Sequence, residues 1–166
     1  VCAGINPYTK EIISEIKIKE CVDYWEWYRE PLIVTGAFRN VDNPEHDLVE
    51  RTALRFKEAG AKVAYIHGDI KFKDREKILN DFLAVKYDLL SCQTKYIEVG
   101  CEFSREDTLM VTSNLDSGCS REQILERINH MNAKGIKEII DIQAKGTKDM
   151  KVLKDLEKKG RDSMRY

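Results

Sequence analysis

Three polar residues share one stretch of this chain at helical spacing: Gln123, Arg127 and His130, within Gln123-Ile-Leu-Glu-Arg127-Ile-Asn-His130. Positions i and i+3 lie on one face of a helix, so Arg127 and His130 should point together. An arginine there has a specific use. Its guanidinium never deprotonates and forks onto two oxygens, which suits a phosphate. The same side chain would equally pair with a carboxylate such as Glu126 or Asp141. His130 donates to a phosphate only when protonated, and otherwise is an ordinary surface or interface histidine. Gln123 closes a capping box with Ser120, which accounts for it without any ligand.

A second set of candidates is spread along the chain: Thr35, Arg39, His67, Gly68, Thr94 and Lys95. Hydroxyl, amide and lysine groups of this kind grip a phosphate backbone without reading sequence. Trp25 and Trp27 would stack on bases, but an apolar face also needs covering, and packing is the reading adopted for both.

The elements that must position these residues are read from hydrophobic periodicity. Leu32–Thr35 is a short apolar, β-branched run of buried-strand type. Asn43-Pro44-Glu45 opens a helix with Val49, Ala53 and Phe56 on one face, and Gly60 ends it. Further strands are expected at Lys62–Ile66, Tyr87–Cys92, Thr108–Thr112 and Lys137–Ile142. Further helices are expected from Asp74, with Ile78, Leu79, Phe82 and Leu83 inward, from Ser120, and over Lys148–Lys158. Glu11–Lys19 alternates partly like a strand, and Cys21–Arg29 reads as a helix packed on the rest. Alternating strands and helices with short connections predict an α/β fold, a mostly parallel sheet with helices on both faces. Ligands in such folds gather at the carboxyl ends of the strands. Thr35, His67–Asp69, Gln93–Lys95 and Thr112–Ser113 fall at those ends. The expected organisation is a lead-in segment over 1–30 and one lobe over 31–166.

Composition narrows the classes. The chain has 166 residues, 42% hydrophobic and 34% charged, with a formal net charge of −1. That argues against a wholly basic nucleic-acid binder but allows a basic patch, and the tail from Lys134 onward is locally basic. The five cysteines are odd in number and lack metal spacing with His46, His67 or His130, so reduced thiols and no metal site are expected. No apolar run reaches the roughly 20 residues of a membrane span, and nothing at the start has signal-peptide form.

Several segments, taken in order, resemble the second motor lobe of superfamily 2 helicases and translocases, most closely the Swi/Snf-like branch. Leu32-Ile-Val-Thr-Gly-Ala-Phe38 is similar to that lobe's first strand. His67-Gly68-Asp69, then Asp74-Arg75-Glu76 and Phe82, keeps the spacing of its next helical segment. Leu89–Glu102 resembles its motif V, with Gly100 and Glu102 late in the pattern. Gln123–His130 and then Ala144-Lys-Gly-Thr147-Lys-Asp149-Met-Lys-Val-Leu153 resemble its last motif.

The resemblance implies a RecA-like lobe. It implies that Arg127 and His130 stand at the catalytic position, with His130 where the family places its arginine finger. Gln123, Gly100 and Glu102 would face the nucleotide, and Thr35, Arg39, His67, Gly68, Thr94 and Lys95 would face nucleic acid. ATP and magnesium would be bound mainly by an N-terminal lobe. The sequence has no Gly-x-x-x-x-Gly-Lys-Ser/Thr loop and no acidic magnesium box, which belong to that first lobe in the family. The implied partners are that N-terminal lobe and DNA or RNA, with no membrane.

The implied function is the C-terminal lobe of an ATP-dependent DNA helicase or translocase, the isolated chain being inactive. The alternative is a degenerate, non-catalytic lobe that binds nucleic acid or protein. A third reading is an unrelated α/β nucleotide-binding domain. Ile97, Glu98, Glu102 and His130 depart from the family pattern. That divergence suggests a phage or mobile-element enzyme, working in the cytoplasm of a bacterium or an infected host cell.

Overall fold

The computed structural model describes residues 13–36, 48–98, 108–112 and 138–146, with 150–152, 154, 155 and 158. Its elements are α1 (Ile13–Tyr28), β1 (Leu32–Gly36), α2 (Leu48–Glu58), β2 (Val63–Ile66), α3 (Phe72–Leu83), β3 (Leu89–Gln93), α4 (Thr94–Glu98), β4 (Thr108–Val111) and β5 (Ile139–Asp141). Residues 150–152, 154, 155 and 158 are helical.

The strands form one sheet in the order β2-β3-β1-β4-β5. Every pairing is parallel, with Leu32 beside both Leu89 and Thr108, Val63 beside Leu89, and Leu109 beside Ile139. The three central strands β3, β1 and β4 are buried along their whole length. That is what continuous apolar runs produce when both faces of a sheet are covered.

Side chains alternate across the sheet and separate into two cores. Leu32, Val34, Leu89 and Met110 face one way, against Cys21 and Trp25 of α1 and Phe56 of α2. Ile33, Leu90, Cys92, Leu109 and Val111 face the other way, against Phe82 of α3. Helices therefore cover both faces, as the periodicity predicts.

Helix α1 corrects the reading of its own sequence. A single helix, Ile13–Tyr28, takes in residues 13–19 of the segment expected to be strand-like and residues 21–28 of the segment expected to be helical. Lys17, Ile18, Cys21 and Trp25 are its buried residues, one stripe along a helix. Lys17 sits in that stripe with its Nζ donating to the carbonyl of Thr112, at the exit of β4. At the other end of α1, Tyr24 OH donates to Glu138 Oε2 at 2.8 Å. Glu15 accepts from Arg51 and Arg55 of α2, tying the two helices together.

The tryptophans divide. Trp25 is buried against Phe56, with ring centroids 5.9 Å apart, and Arg29 lies over its indole. Trp27 is 85% exposed and is not a packing residue. The expectation fails there because Trp27 sits two positions, or 200°, round the helix from the buried stripe.

Helix ends are set by backbone chemistry. Gly60 has φ +90, with Gly60 N bonded to Lys57 O and Ala61 N to Phe56 O, the Schellman arrangement. The end of α3 repeats it at Val85, with φ 60 and bonds from Val85 N to Phe82 O and Lys86 N to Asp81 O. Here a β-branched residue holds the position that favours glycine. The start of α3 is Phe72 rather than Asp74; Lys71 occupies the cap with no side-chain bond.

Candidate nucleic-acid interface

The parallel register brings the candidate residues to one end of the sheet. Thr35 lies level with Cys92 and Val111, and Gly36 level with Gln93. Ile66 is level with Cys92. The chain leaving β1, β2, β3 and β4 therefore emerges along one carboxyl-end face. Thr35, His67, Gly68, Thr94 and Lys95 all belong to it. Arg39, Gly100, Glu102, Gln123, Arg127 and His130 lie outside the described residues.

The backbone of this face is stitched together. Thr112 N and Thr112 Oγ1 both donate to Thr35 O, at 3.0 and 2.7 Å. Ile142 N donates to Val111 O at 3.0 Å. The carbonyl of Thr35 is thus doubly satisfied. Its hydroxyl is not: among the described residues Thr35 Oγ1 and Thr94 Oγ1, with Trp25 Nε1 in α1, are buried without a hydrogen-bond partner. Buried polar atoms are ordinarily paired, so two orphan hydroxyls on adjacent strand ends are a feature to be explained. By contrast Ser91, one pleat below, donates to Val49 O at 2.8 Å.

Thr94 opens α4, which follows β3 without a break. At five residues this helix is too short to show a periodicity in the sequence. It leaves Lys95 exposed, with Nζ 5.0 Å from the Tyr96 ring centroid.

The exit from β2 is a turn, in which Ile70 N bonds His67 O at 3.2 Å and Asp69 N bonds His67 Nδ1 at 3.3 Å. The His67 ring stacks on Tyr65, 5.5 Å between centroids and 9° from parallel. Gly68 is exposed, yet a Cβ placed on it would sit 3.0 Å from the Tyr96 hydroxyl oxygen. A side chain at this position would fit only if the Tyr96 hydroxyl gave way by a few tenths of an ångström. Arg75, on α3, donates from Nε to Ile70 O at 2.6 Å and from an Nη to Gly68 O at 2.9 Å. Arg75 and Tyr96 were not among the site residues expected. Arg75 was legible only as part of a spacing pattern, and nothing signalled Tyr96.

The donors of this face are hydroxyls, a lysine ammonium, backbone amides and an imidazole, with the exposed Asp69 carboxylate 3.7 Å from His67 Nδ1 in the same turn. That chemistry fits oxyanions. Among the described residues no group of three His, Cys, Asp or Glu side chains could hold a metal ion. No described helix is long and apolar enough to cross a membrane.

With this geometry established, comparison with known proteins is informative. Residues 29–132 match the family described as the helicase conserved C-terminal domain. The chain belongs to that family. The match takes in β1 through β4, including the strand ends that carry Thr35, His67, Gly68, Thr94 and Lys95.

A curated relative, the transcription-repair-coupling factor of Buchnera aphidicola subsp. Acyrthosiphon pisum (strain APS), is 31% identical over 87 residues. Those residues are 52% of this chain and 10% of that protein, so the chain spans only a small part of its relative.

Among solved structures, the C-terminal part of the Fun30 ATPase domain superposes with a TM-score of 0.72 at 12% identity, over 87% of this chain and 45% of that one. A DEAD box protein from Methanococcus jannaschii gives 0.70 at 16% identity, over 87% and 36%. The Pyrococcus furiosus Hef helicase domain gives 0.60 at 17% identity, over 86% and 28%. The fold is RecA-like, shared with these helicase domains.

Proposed function

We propose that this lobe forms half of an ATP-driven motor on nucleic acid, as the C-terminal lobe of a DNA helicase or translocase of the Swi/Snf-like branch. Thr35, Arg39, His67, Gly68, Thr94 and Lys95 grip the phosphate backbone. Arg127 and His130 face the transferring phosphate, and Gln123, Gly100 and Glu102 the rest of the nucleotide. ATP and magnesium are held mainly by an N-terminal lobe of the same parent protein, working in the cytoplasm of a bacterium or phage-infected cell.

The observation that carries the reading is the pair of buried, unpartnered hydroxyls of Thr35 and Thr94 beside exposed Lys95. Orphan donors are costly in the free protein. They are explained if a ligand oxygen completes them. A backbone phosphate supplies such oxygens, and Lys95 adds the counter-charge. The net charge of −1 leaves only local attraction, so binding by the lobe alone should be weak and steeply salt-dependent. Phosphoryl transfer needs the phosphate cradle and magnesium carboxylates of the other lobe.

Two measurements test this. Titrating the chain into a labelled oligonucleotide at two ionic strengths should show affinity falling sharply with salt. Phosphate release from ATP by the isolated chain should stay at background, with or without DNA. Tight, salt-insensitive, sequence-selective binding overturns the reading, as does robust magnesium-dependent turnover.

A further inference from the structure

Arg75 occupies a position that joins two segments of the proposed interface. Its two donated bonds hold the carbonyls of Gly68 and Ile70, on both sides of the tip of the turn after β2. The flat face of the same guanidinium lies 4.4 Å from the centroid of the Tyr96 ring, in α4. Tyr96 in turn places its hydroxyl against Gly68, where any Cβ would be crowded, and packs on the core formed by Ile66, Phe82 and Cys92. The turn carrying His67 and Gly68 and the helix carrying Thr94 and Lys95 thus meet through one side chain. Only arginine does both jobs at once: a planar fork donating from its edge, and a cationic face stacking on an aromatic ring.

We propose that Arg75 is a positioning residue, clasping the turn after β2 to α4 through Tyr96 so that both segments present a single rigid grip. The proposal rests on the nucleic-acid reading of this face. It adds that the grip is pre-assembled from α3, a helix that contributes no candidate contact of its own. Arg75 is poorly placed to act as a free phosphate ligand. Its Nε and one Nη already hold carbonyls, and one face is covered by the ring. Without the clasp, the turn keeps contacts internal to itself, such as Ile70 N to His67 O and Asp69 N to His67 Nδ1, which do not reach α4.

The test compares Arg75→Lys, Tyr96→Leu, Tyr96→Phe and the Arg75→Lys/Tyr96→Leu pair. Two readouts are taken on the whole chain: backbone amide exchange, and anisotropy of a fluorescein-labelled oligodeoxythymidylate at low salt. Arg75→Lys keeps the charge and removes the fork and the stacking plane. It should speed exchange in residues 67–70 and also in residues 93–97, and weaken binding about threefold to thirtyfold, as expected for loss of a cation–π contact and a hydrogen bond.

Tyr96→Leu should do the same, and the pair should be no worse than either single change, because both remove one linkage. Tyr96→Phe keeps the ring that Arg75 stacks on and should keep slow exchange in residues 67–70. The slope of log affinity against log salt should not change in Arg75→Lys, since no phosphate contact is lost, whereas Lys95→Ala should flatten it by about one. If Arg75→Lys does not fold, the two Tyr96 variants decide alone.

Wild-type exchange at 93–97 in Arg75→Lys, or wild-type exchange and affinity in Tyr96→Leu, overturns the clasp. An oligonucleotide that the wild type never binds, with the exchange coupling present, overturns the grip while leaving the clasp demonstrated as a link between the two segments.

Discussion

Replacing Thr35 or Thr94 with valine should stabilise the free protein and weaken its hold on nucleic acid. Both hydroxyls are buried and unpartnered. A hydroxyl sequestered from water without a hydrogen bond costs about 1–3 kcal/mol. Valine keeps the branched shape and removes that cost, and some of the gain is lost in fitting a methyl where an oxygen sat. A net gain of about 1 kcal/mol per site is expected, a rise of roughly 2–4 °C in Tm for a chain of this size. A hydrogen bond to a charged phosphate contributes about 1.5–3 kcal/mol, so affinity should fall by about tenfold to a hundredfold.

Thr112→Val is the control. That hydroxyl is buried as well, but donates to Thr35 O at 2.7 Å. Its removal should cost about 1 kcal/mol. Urea unfolding followed by circular dichroism gives the stabilities, and oligonucleotide anisotropy gives the affinities. A destabilised Thr35→Val or Thr94→Val protein would show that the hydroxyl has a partner in the folded chain. Raised stability with unchanged affinity would remove that residue from the interface.

The carboxyl of Glu15 is pushed up by partial burial, but hydrogen bonds and charge from Arg51 and Arg55 outweigh this and hold it below its ordinary 4.5. Its contribution is therefore fully present above that value and lost as pH falls through the lowered one. Because Glu15 is 36% exposed, the wild type should exceed Glu15→Gln at neutral pH by only about 0.5 kcal/mol. Urea midpoints from pH 7 downward should show that gap closing in acid, and a gap that widens would contradict the assignment.

Val85→Gly should raise the urea midpoint by about 0.5–1 kcal/mol equivalent, the relief of a left-handed β-branched residue less the extra chain entropy of glycine. A lower midpoint would mean the valine side chain packs usefully. In an active parent motor, Arg127→Ala should reduce nucleic-acid-stimulated ATP hydrolysis by about 10³-fold or more, and His130→Arg should hold or raise it, with circular dichroism confirming folded protein. Wild-type turnover in Arg127→Ala would make that arginine a structural partner of a carboxylate.

The parts of the fold that were legible are those where pattern and burial coincide. Leu32–Thr35 and Thr108–Val111 are apolar because both sheet faces are covered, and their sequences could hardly be anything else. The stripe Val49, Ala53, Phe56 identified α2 by its spacing alone. Helix α1 was obscured because one of its buried positions is Lys17. A binary pattern counts lysine as solvent-facing, whereas here the ammonium reaches a strand-end carbonyl. The placing of Thr35, His67, Gly68, Thr94 and Lys95 at one end of the sheet followed from strand order and parallel direction. Their hydrogen-bonding state did not. Thr35, Thr94 and Thr112 are the same residue in the sequence, and only the packing around them separates the two orphans from the satisfied one. Arg75 and Tyr96 are 21 positions apart, and no local rule joins them.

Among the described residues three buried side-chain polar atoms lack a hydrogen-bond partner: Trp25 Nε1 in α1, and the Thr35 and Thr94 hydroxyls at the carboxyl end of the sheet. At the amino ends, polar backbone atoms are paired across the entry to the strands. Asp88 N donates to Lys62 O, Leu32 N to Asp88 O, and Lys62 N to Asp88 Oδ2 at 2.7 Å. Glu138 there accepts from both Leu109 N and the Tyr24 hydroxyl. The carboxyl ends have equally good backbone bonds, so the orphan hydroxyls are not signs of loose packing. Buried polar groups are ordinarily paired, so orphan hydroxyls on Thr35 of β1 and on Thr94, the first residue of α4, call for a partner. The same end carries a pre-bent turn held by Arg75 and an exposed lysine. Two buried orphan hydroxyls beside an exposed lysine suit a surface that a ligand finishes. In a parallel α/β sheet that end is also where ligands bind. The two orphan hydroxyls and the topology point to the same face, and the nucleic-acid proposal rests on their agreement.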